Sequence, residues 1–306
     1  MKKMASAIIV AVLLTGLLLT GCRVAGSGNI ETREFDFSDF TKVEISSAFS
    51  FEISRSDSYG ISITMDDNMF EHIQVTKEGE TLKIGITSRI ALITIVDFRT
   101  TARKAVIRMP QLTGLDISGA SKGIVSGFES TEELELDVSG ASKLSFRDLV
   151  AGDVDIDVSG ASLVLMTGSV RDMVTEASGA SRIELTALSA GDVELSLSGA
   201  SRIEGNLNAD SIDFDLSGAS FALIRGSTGD IRVEASGASW VDLADLTVNN
   251  ADVTLTGACF ASINLDGKLD MSLSGASLLN YTGTPMLGEI NLSGGSEIKN
   301  INRVRE

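Results

Sequence analysis

Histidine is almost missing from this chain: one residue, His72, among 306. A serine or cysteine nucleophile activated by an imidazole therefore has one position from which to draw its base. Proline and cysteine are nearly as scarce, at two residues each, and two cysteines cannot build the disulfide framework of a small secreted domain. Aromatic residues make up 5% of the chain against 43% hydrophobic residues overall, so a core must be filled by Val, Ile, Leu and Ala. Cations are outnumbered, 25 Lys and Arg to 42 Asp and Glu, for a net charge of −17. A phosphate backbone would be repelled by such a surface, which excludes nucleic acid as a partner.

What the chain does have is glycine, 30 residues of it, and a recurring word. Ser-Gly-Ala-Ser opens at Ser118, Ser139, Ser159, Ser178, Ser198, Ser217, Ser236 and Ser274; Thr256 opens Thr-Gly-Ala-Cys and Ser293 opens Ser-Gly-Gly-Ser. The ten copies stand 18 to 21 residues apart, and so narrow a period marks a structural repeat.

One and three residues before each copy the chain is apolar almost throughout, as at Leu136 and Val138, Ile156 and Val158, or Leu195 and Leu197. Alternation with period two is a strand with one buried face, and recurring columns require these strands to stack in register. Five and seven residues after the first residue of each copy the pattern resumes, at Leu144 and Phe146, Ile183 and Leu185, Val241 and Leu243. A second strand thus follows a turn. Glycine supplies the non-β conformation that the turn needs; alanine is expected to fill the inside of the corner, and the serines to bond local backbone or the serine of the next rung. Cys259 takes the serine's place in its copy and is expected to be a buried, stacked small residue.

The fold class that follows is all-β: a parallel β-helix or solenoid of about ten regular SGAS rungs of 19–20 residues, each with two clear strands and a shorter third side, preceded by irregular N-terminal coils. At roughly 4.8 Å per rung, ten rungs make a rod about 48 Å long. The stretch "KVEISSAFSFEI" fits the same template with Ser46 as its reference, so the solenoid is expected to begin near Thr41. Between Tyr59 and Met109 strands are recognisable but irregularly spaced, which reads as longer, looser coils. The charged C-terminal "KNINRVRE" is expected to blunt the open edge.

The N-terminus follows a different logic. Lys2 and Lys3 precede the apolar run "ASAIIVAVLLTGLLLTGC", the pattern of an export signal. Leu19-Thr20-Gly21-Cys22 resembles the lipobox of bacterial lipoproteins, which makes Cys22 the expected lipid-attachment residue; ordinary signal cleavage and an uncleaved anchor are the alternatives. The expected division is 1–21 signal peptide, 22–37 tether, 38–110 irregular N-terminal coils and 111–306 regular solenoid.

The stretches "GSGNIETREFDFSDFTKVEISSAFSFEI", "GETLKIGI" and "PQLTGLDISGAS", with the SGAS run after them, resemble the bacterial head GIN domain family, grouped with auto-transporter adhesins and often found as lipoproteins. The resemblance covers about Gly26 to the C-terminus. It implies a β-solenoid in the cell envelope and brings no catalytic residues with it.

Function must then sit on outward positions. Two and four residues before each copy the chain is acidic, from Asp116 to Glu289, and the densest group, Glu135, Asp137, Asp155 and Asp157, is a candidate calcium site of hard oxygen ligands. No other cofactor is expected. Four residues after each reference stands a second column: Lys122, Lys143, Leu163, Arg182, Arg202, Phe221, Trp240, Phe260, Leu278 and Glu297. Its aromatics on three successive rungs, Phe221, Trp240 and Phe260, are candidate ligand-binding residues for a glycan or an envelope protein, if no bend tucks them inward. The expected function is a non-enzymatic envelope lipoprotein, held to the outer membrane or cell surface by its lipid, that binds, adheres or scaffolds. A homo-oligomer is a further candidate assembly. The alternative is a β-helix carbohydrate-active enzyme, a lyase or hydrolase using paired surface carboxylates, which needs long loops around a groove; no rung has one.

Overall fold

The computed structural model describes residues 22–24, 26–87, 94–96 and 103–302. The signal peptide, 1–21, lies outside them. Two large sheets face each other along the described chain, one of 13 strands and one of 14. The strands before the corners, such as Leu134–Val138, Val154–Val158 and Met173–Ala177, stack in the first sheet. Those after the corners, such as Lys143–Ala151, Leu163–Val170 and Arg182–Ser189, stack in the second. All are parallel and in the register that the repeat dictates: Leu136 beside Ile156 beside Thr175, and Leu144 beside Val164 beside Ile183. Ten corners of the SGAS type mark the rungs of a β-solenoid of about nine turns, and the inward columns merge into one continuous apolar core.

The third side is the tail of the second strand. Ladder register slips between Phe146 and Leu149, and again between Leu185 and Leu188, where the chain bends. Asp148 and Ala187 take φ of 51° at these bends, and Gly168 takes 135°. Past the bend Leu149, Val170, Leu188 and Leu207 turn back into the core. A β-bulge is how a strand makes such a corner without giving up its ladder.

In each corner the glycine has positive φ, from 66° at Gly119 to 92° at Gly257. From Ala161 to Gly295 the next amide donates to the glycine carbonyl one rung below at 2.7–2.8 Å, so the corner has its own ladder. A Cβ on Gly160 would lie 2.4 Å from the Gly140 carbonyl oxygen, and glycine is required there for space as well as for conformation. The alanine does not fill the corner. Ala161, Ala180 and Ala200 face solvent, while the serine after each is buried. Serine is accepted inside because its hydroxyl donates to the carbonyl three residues earlier: Ser201 to Ser198 at 2.7 Å, Ser220 to Ser217 at 2.7 Å, Ser239 to Ser236 at 2.9 Å. A rung-to-rung hydroxyl contact occurs between Ser181 and Ser201, at 3.3 Å. Cys259 follows the same plan, its thiol donating to the Thr256 carbonyl at 3.2 Å in a 2% exposed site.

The N-terminal region is more regular than its spacing suggests, but out of chain order. Lys42–Ile45 and Ser50–Arg55 form a true rung about the Ser46 corner, stacked directly beneath Gly114–Ile117 and Lys122–Ser126. Beneath it lie Thr81–Ile86 and Lys104–Met109, although they come later in sequence. Looser coils were the wrong picture for 59–109: antiparallel strands close this end, Ile73–Glu78 against Thr81–Ile86 and Gly60–Asp66 against Lys104–Met109. The segment read as a tether, 22–37, contributes Ile30–Phe35 to this cap, antiparallel to Gly60–Asp66. At the other end Met286–Leu292 and Glu297–Asn300 are the last described strands of the two sheets, with Leu287, Ile290 and Leu292 exposed. The last four residues of the charged tail lie outside the described residues.

Candidate functional site

Strand pairing sets Arg202, Phe221, Trp240, Phe260 and Leu278 in one outward column, each beside the next. Trp240 is 46% exposed, and Phe221 and Phe260 are half-buried by their neighbours. No bend tucks the three aromatics inward. The Trp240 and Phe260 rings stack with centroids 4.2 Å apart and planes 35° from parallel, and the Arg202 guanidinium lies over the Phe221 ring at 4.0 Å. The strip is therefore two stacked pairs of flat groups on four successive rungs, Arg202 on Phe221 and Trp240 on Phe260, brought together because neighbouring in-register strands lie close enough for such contacts. Beside it runs the ledge of solvent-facing corner glycines and alanines, where no long side chain rises.

The basic half of the column continues the same line. Lys122 pairs in register with Lys143, Lys143 with Leu163, and Arg182 with Arg202. The arginines are engaged: Arg182 bonds Glu184 at 2.8 Å and also Glu204, and Arg202 bonds Glu204 at 2.6 Å. Partial burial pushes the Glu204 carboxyl up, but the hydrogen bonds and charges of Arg202 and Arg182 outweigh it and hold it below its ordinary value. This network escaped the sequence reading, although Arg-x-Glu at Arg182 and again at Arg202, one rung apart, spells it out.

The acidic positions line the outer face of the other sheet. Glu135 stands beside Asp155, and Asp116, Asp137, Asp157 and Glu176 follow one another across the ladder. Scattered cations relieve the wall: Lys42 reaches Glu135 at 2.6 Å, Lys83 reaches Glu44 at 3.2 Å, and Arg232 bonds Glu234. Desolvation, with the Glu44 and Asp137 charges added, still pushes the Asp116 carboxyl above its ordinary value. The candidate calcium ligands are thus brought together as two stacked pairs, Glu135 with Asp155 and Asp137 with Asp157. Among the described residues no three or more His, Cys, Asp or Glu side chains converge as a metal site. A shallow groove of about 390 Å³ runs between Asp157, Glu176 and Asp215 and the corner serines Ser159, Ser178 and Ser198.

His72 lies in the N-terminal cap, its Nε2 3.4 Å from Glu71, in a 3-10 turn far along the chain from the serine columns. Ser121, Ser201, Ser220, Ser239 and Ser277 spend their hydroxyls on carbonyls three residues back, which is architecture. Cys22 stands in a short strand, Cys22–Val24, paired in parallel with Thr94–Val96.

Two crystal structures share this fold, each of a "putative adhesin": one from Parabacteroides distasonis, with TM-score 0.56, 18% identity and 90% of this chain matched to 99% of that one; the other from Parabacteroides merdae, with TM-score 0.53, 16% identity and 90% matched to 98%. No curated protein matches the chain. The family model described as "putative auto-transporter adhesin, head GIN domain" matches residues 39–204 and 186–285, most of the sequence. The chain belongs to the head GIN domain family.

Proposed function

We propose that the protein is a non-enzymatic lipoprotein of the cell envelope, anchored through Cys22 to the outer membrane or cell surface, that binds an envelope or surface ligand through the outward columns of its solenoid. The observation that carries the reading is the outward Phe221–Trp240–Phe260 column, three large apolar rings on successive rungs with Trp240 exposed. Soluble proteins seldom leave such a row uncovered without a partner for it. The adhesin-like family supports an exported binding role, and the Leu19-Thr20-Gly21-Cys22 run supports the anchor. Two acyl chains hold a protein to a bilayer stably where one does not, so a rod carried on Cys22 presents its columns at the surface without spanning it.

A glycan array probed with protein lacking residues 1–21, with and without calcium, tests the binding role. Trp240→Ala should abolish the signal while the melting temperature holds. Binding that survives Trp240→Ala moves the site elsewhere; binding that needs calcium assigns the acidic face to it instead.

A further inference from the structure

Resting on that reading, we infer that the ligand is an acidic polysaccharide, a chain with a carboxylate on each sugar, laid lengthwise along the column from Lys122 to Phe260.

Three features converge. The first is geometry: pairing places one side chain of the column on every rung from Lys122 to Phe260. At roughly 4.8 Å per rung the stretch from Lys122 to Trp240 is about 29 Å long. A regularly spaced line of contacts suits a polymer, whose units repeat, better than a compact ligand, which would use one or two of them. The second is charge. On a chain of net charge −17 the column gathers Lys122, Lys143, Arg182 and Arg202, two pairs separated by Leu163, while most of the carboxylates crowd the outside of the other sheet. Arg182 and Arg202 are held by Glu184 and Glu204, but Lys122 and Lys143 make no ion pair among the described residues: the outer-face positions two residues on are Ile124 and Ser145, and Glu52, diagonal to Lys122, is engaged by Lys104 at 2.8 Å. A neutral polymer would leave these two lysines without a role; a carboxylate-bearing one engages them. The third is shape. The rings of Phe221, Trp240 and Phe260 offer apolar faces on which sugar rings stack, and the low ledge of corner glycines and alanines leaves room beside them for the chain to lie.

Trp240 is the single tryptophan of the protein, so its emission reports occupancy directly. The probes are an oligogalacturonate long enough to reach from Lys122 to Trp240 and the same oligomer fully methyl-esterified, which keeps rings, linkage and length and removes the charge. The acid form should shift Trp240 emission, with an affinity that falls as salt is raised. The ester should bind at least tenfold more weakly. The double variant Lys122→Gln, Lys143→Gln should lose roughly tenfold for the acid form, several-fold per exposed charge contact, and nothing for the ester, with unchanged thermal melting. Equal binding of acid and ester, or binding indifferent to salt and to the two lysines, overturns the inference and leaves the surface-binding role standing. If neither oligomer shifts Trp240 emission the inference falls too; should no glycan on the array bind, and an envelope protein be crosslinked at Trp240 instead, the ligand is a protein.

Discussion

The Ala200 amide donates to the Gly179 carbonyl oxygen one rung below at 2.8 Å, while the Ala200 methyl points into solvent. The corner is thus built from its backbone, and its tolerance to substitution should differ sharply between adjacent residues. Gly199 has φ of 72°, and a Cβ there would lie 2.7 Å from the Gly179 carbonyl oxygen. Gly199→Ala should cost about 1–3 kcal/mol for the backbone conformation alone, whereas Ala200→Leu should stay within about 0.5 kcal/mol. Chemical denaturation of the two variants checks this; equal losses would mean that the corner is packed from within.

Thr175 interrupts the inward column between Ile156 and Leu195, 1% exposed, and its hydroxyl has no hydrogen-bond partner among the described residues. Thr175→Val keeps the shape and removes the buried polar atom, so the variant should be more stable by about 1–2 kcal/mol. A lower denaturation midpoint would show that the hydroxyl is satisfied in solution.

The periodic alternation made the two main strands, their register and the outward place of Phe221, Trp240 and Phe260 legible before any coordinates, because a column that holds Lys122 and Lys143 on other rungs cannot face a core. Alternation does not say which of two small residues points inward. The small methyl of Ala200 suits the inside of a tight corner by size; Ser201 takes the place because its hydroxyl finds the Ser198 carbonyl three residues back, an acceptor visible only once the chain has turned. The stacking of Thr81–Ile86 under Lys42–Ile45 was hidden for another reason. A repeat is read in chain order, and here spatial order departs from it.

Asp116 supplies a pH signature. Its carboxyl is raised in the folded protein, by desolvation first and then by Glu44 and Asp137, so the fold binds a proton more tightly there than the unfolded chain does. The site opposes folding above its raised value, and that penalty is relieved as pH falls toward the ordinary carboxylate range. Asp116→Asn should therefore raise the melting temperature at neutral pH, with the gain shrinking toward about pH 4. Asp153 and Asp270, lowered chiefly by hydrogen bonds from Arg171 and Lys268, work in the opposite sense and lose their contribution as the medium is acidified. A gain from Asp116→Asn that is constant with pH would remove Asp116 from the account.

Burial raises the Cys259 thiol above its usual range, so thiolate is scarce and access is closed. Ellman's reagent should leave Cys259 untouched in the native protein and modify it on unfolding. Cys259→Ser should fold as well as the parent, since nine other corners carry serine at that place. Rapid native labelling would contradict both statements.

The displaced rung at the base decides how the chain acquires its shape. From Ser139 onward each coil docks on one finished about twenty residues earlier, so growth is local and each step templates the next. Lys42–Arg55 has no such neighbour when it is made: Lys42 meets Thr81 on one side and Gly114 on the other, and Ser50 meets Lys104 and Lys122, all of them later in the chain. Loop closure over those distances must precede any reward from contact. The base is therefore the slow nucleus and the rod the fast extension, and a nascent chain released before about Met109 has emerged holds Ser50–Arg55 without the strand beneath it.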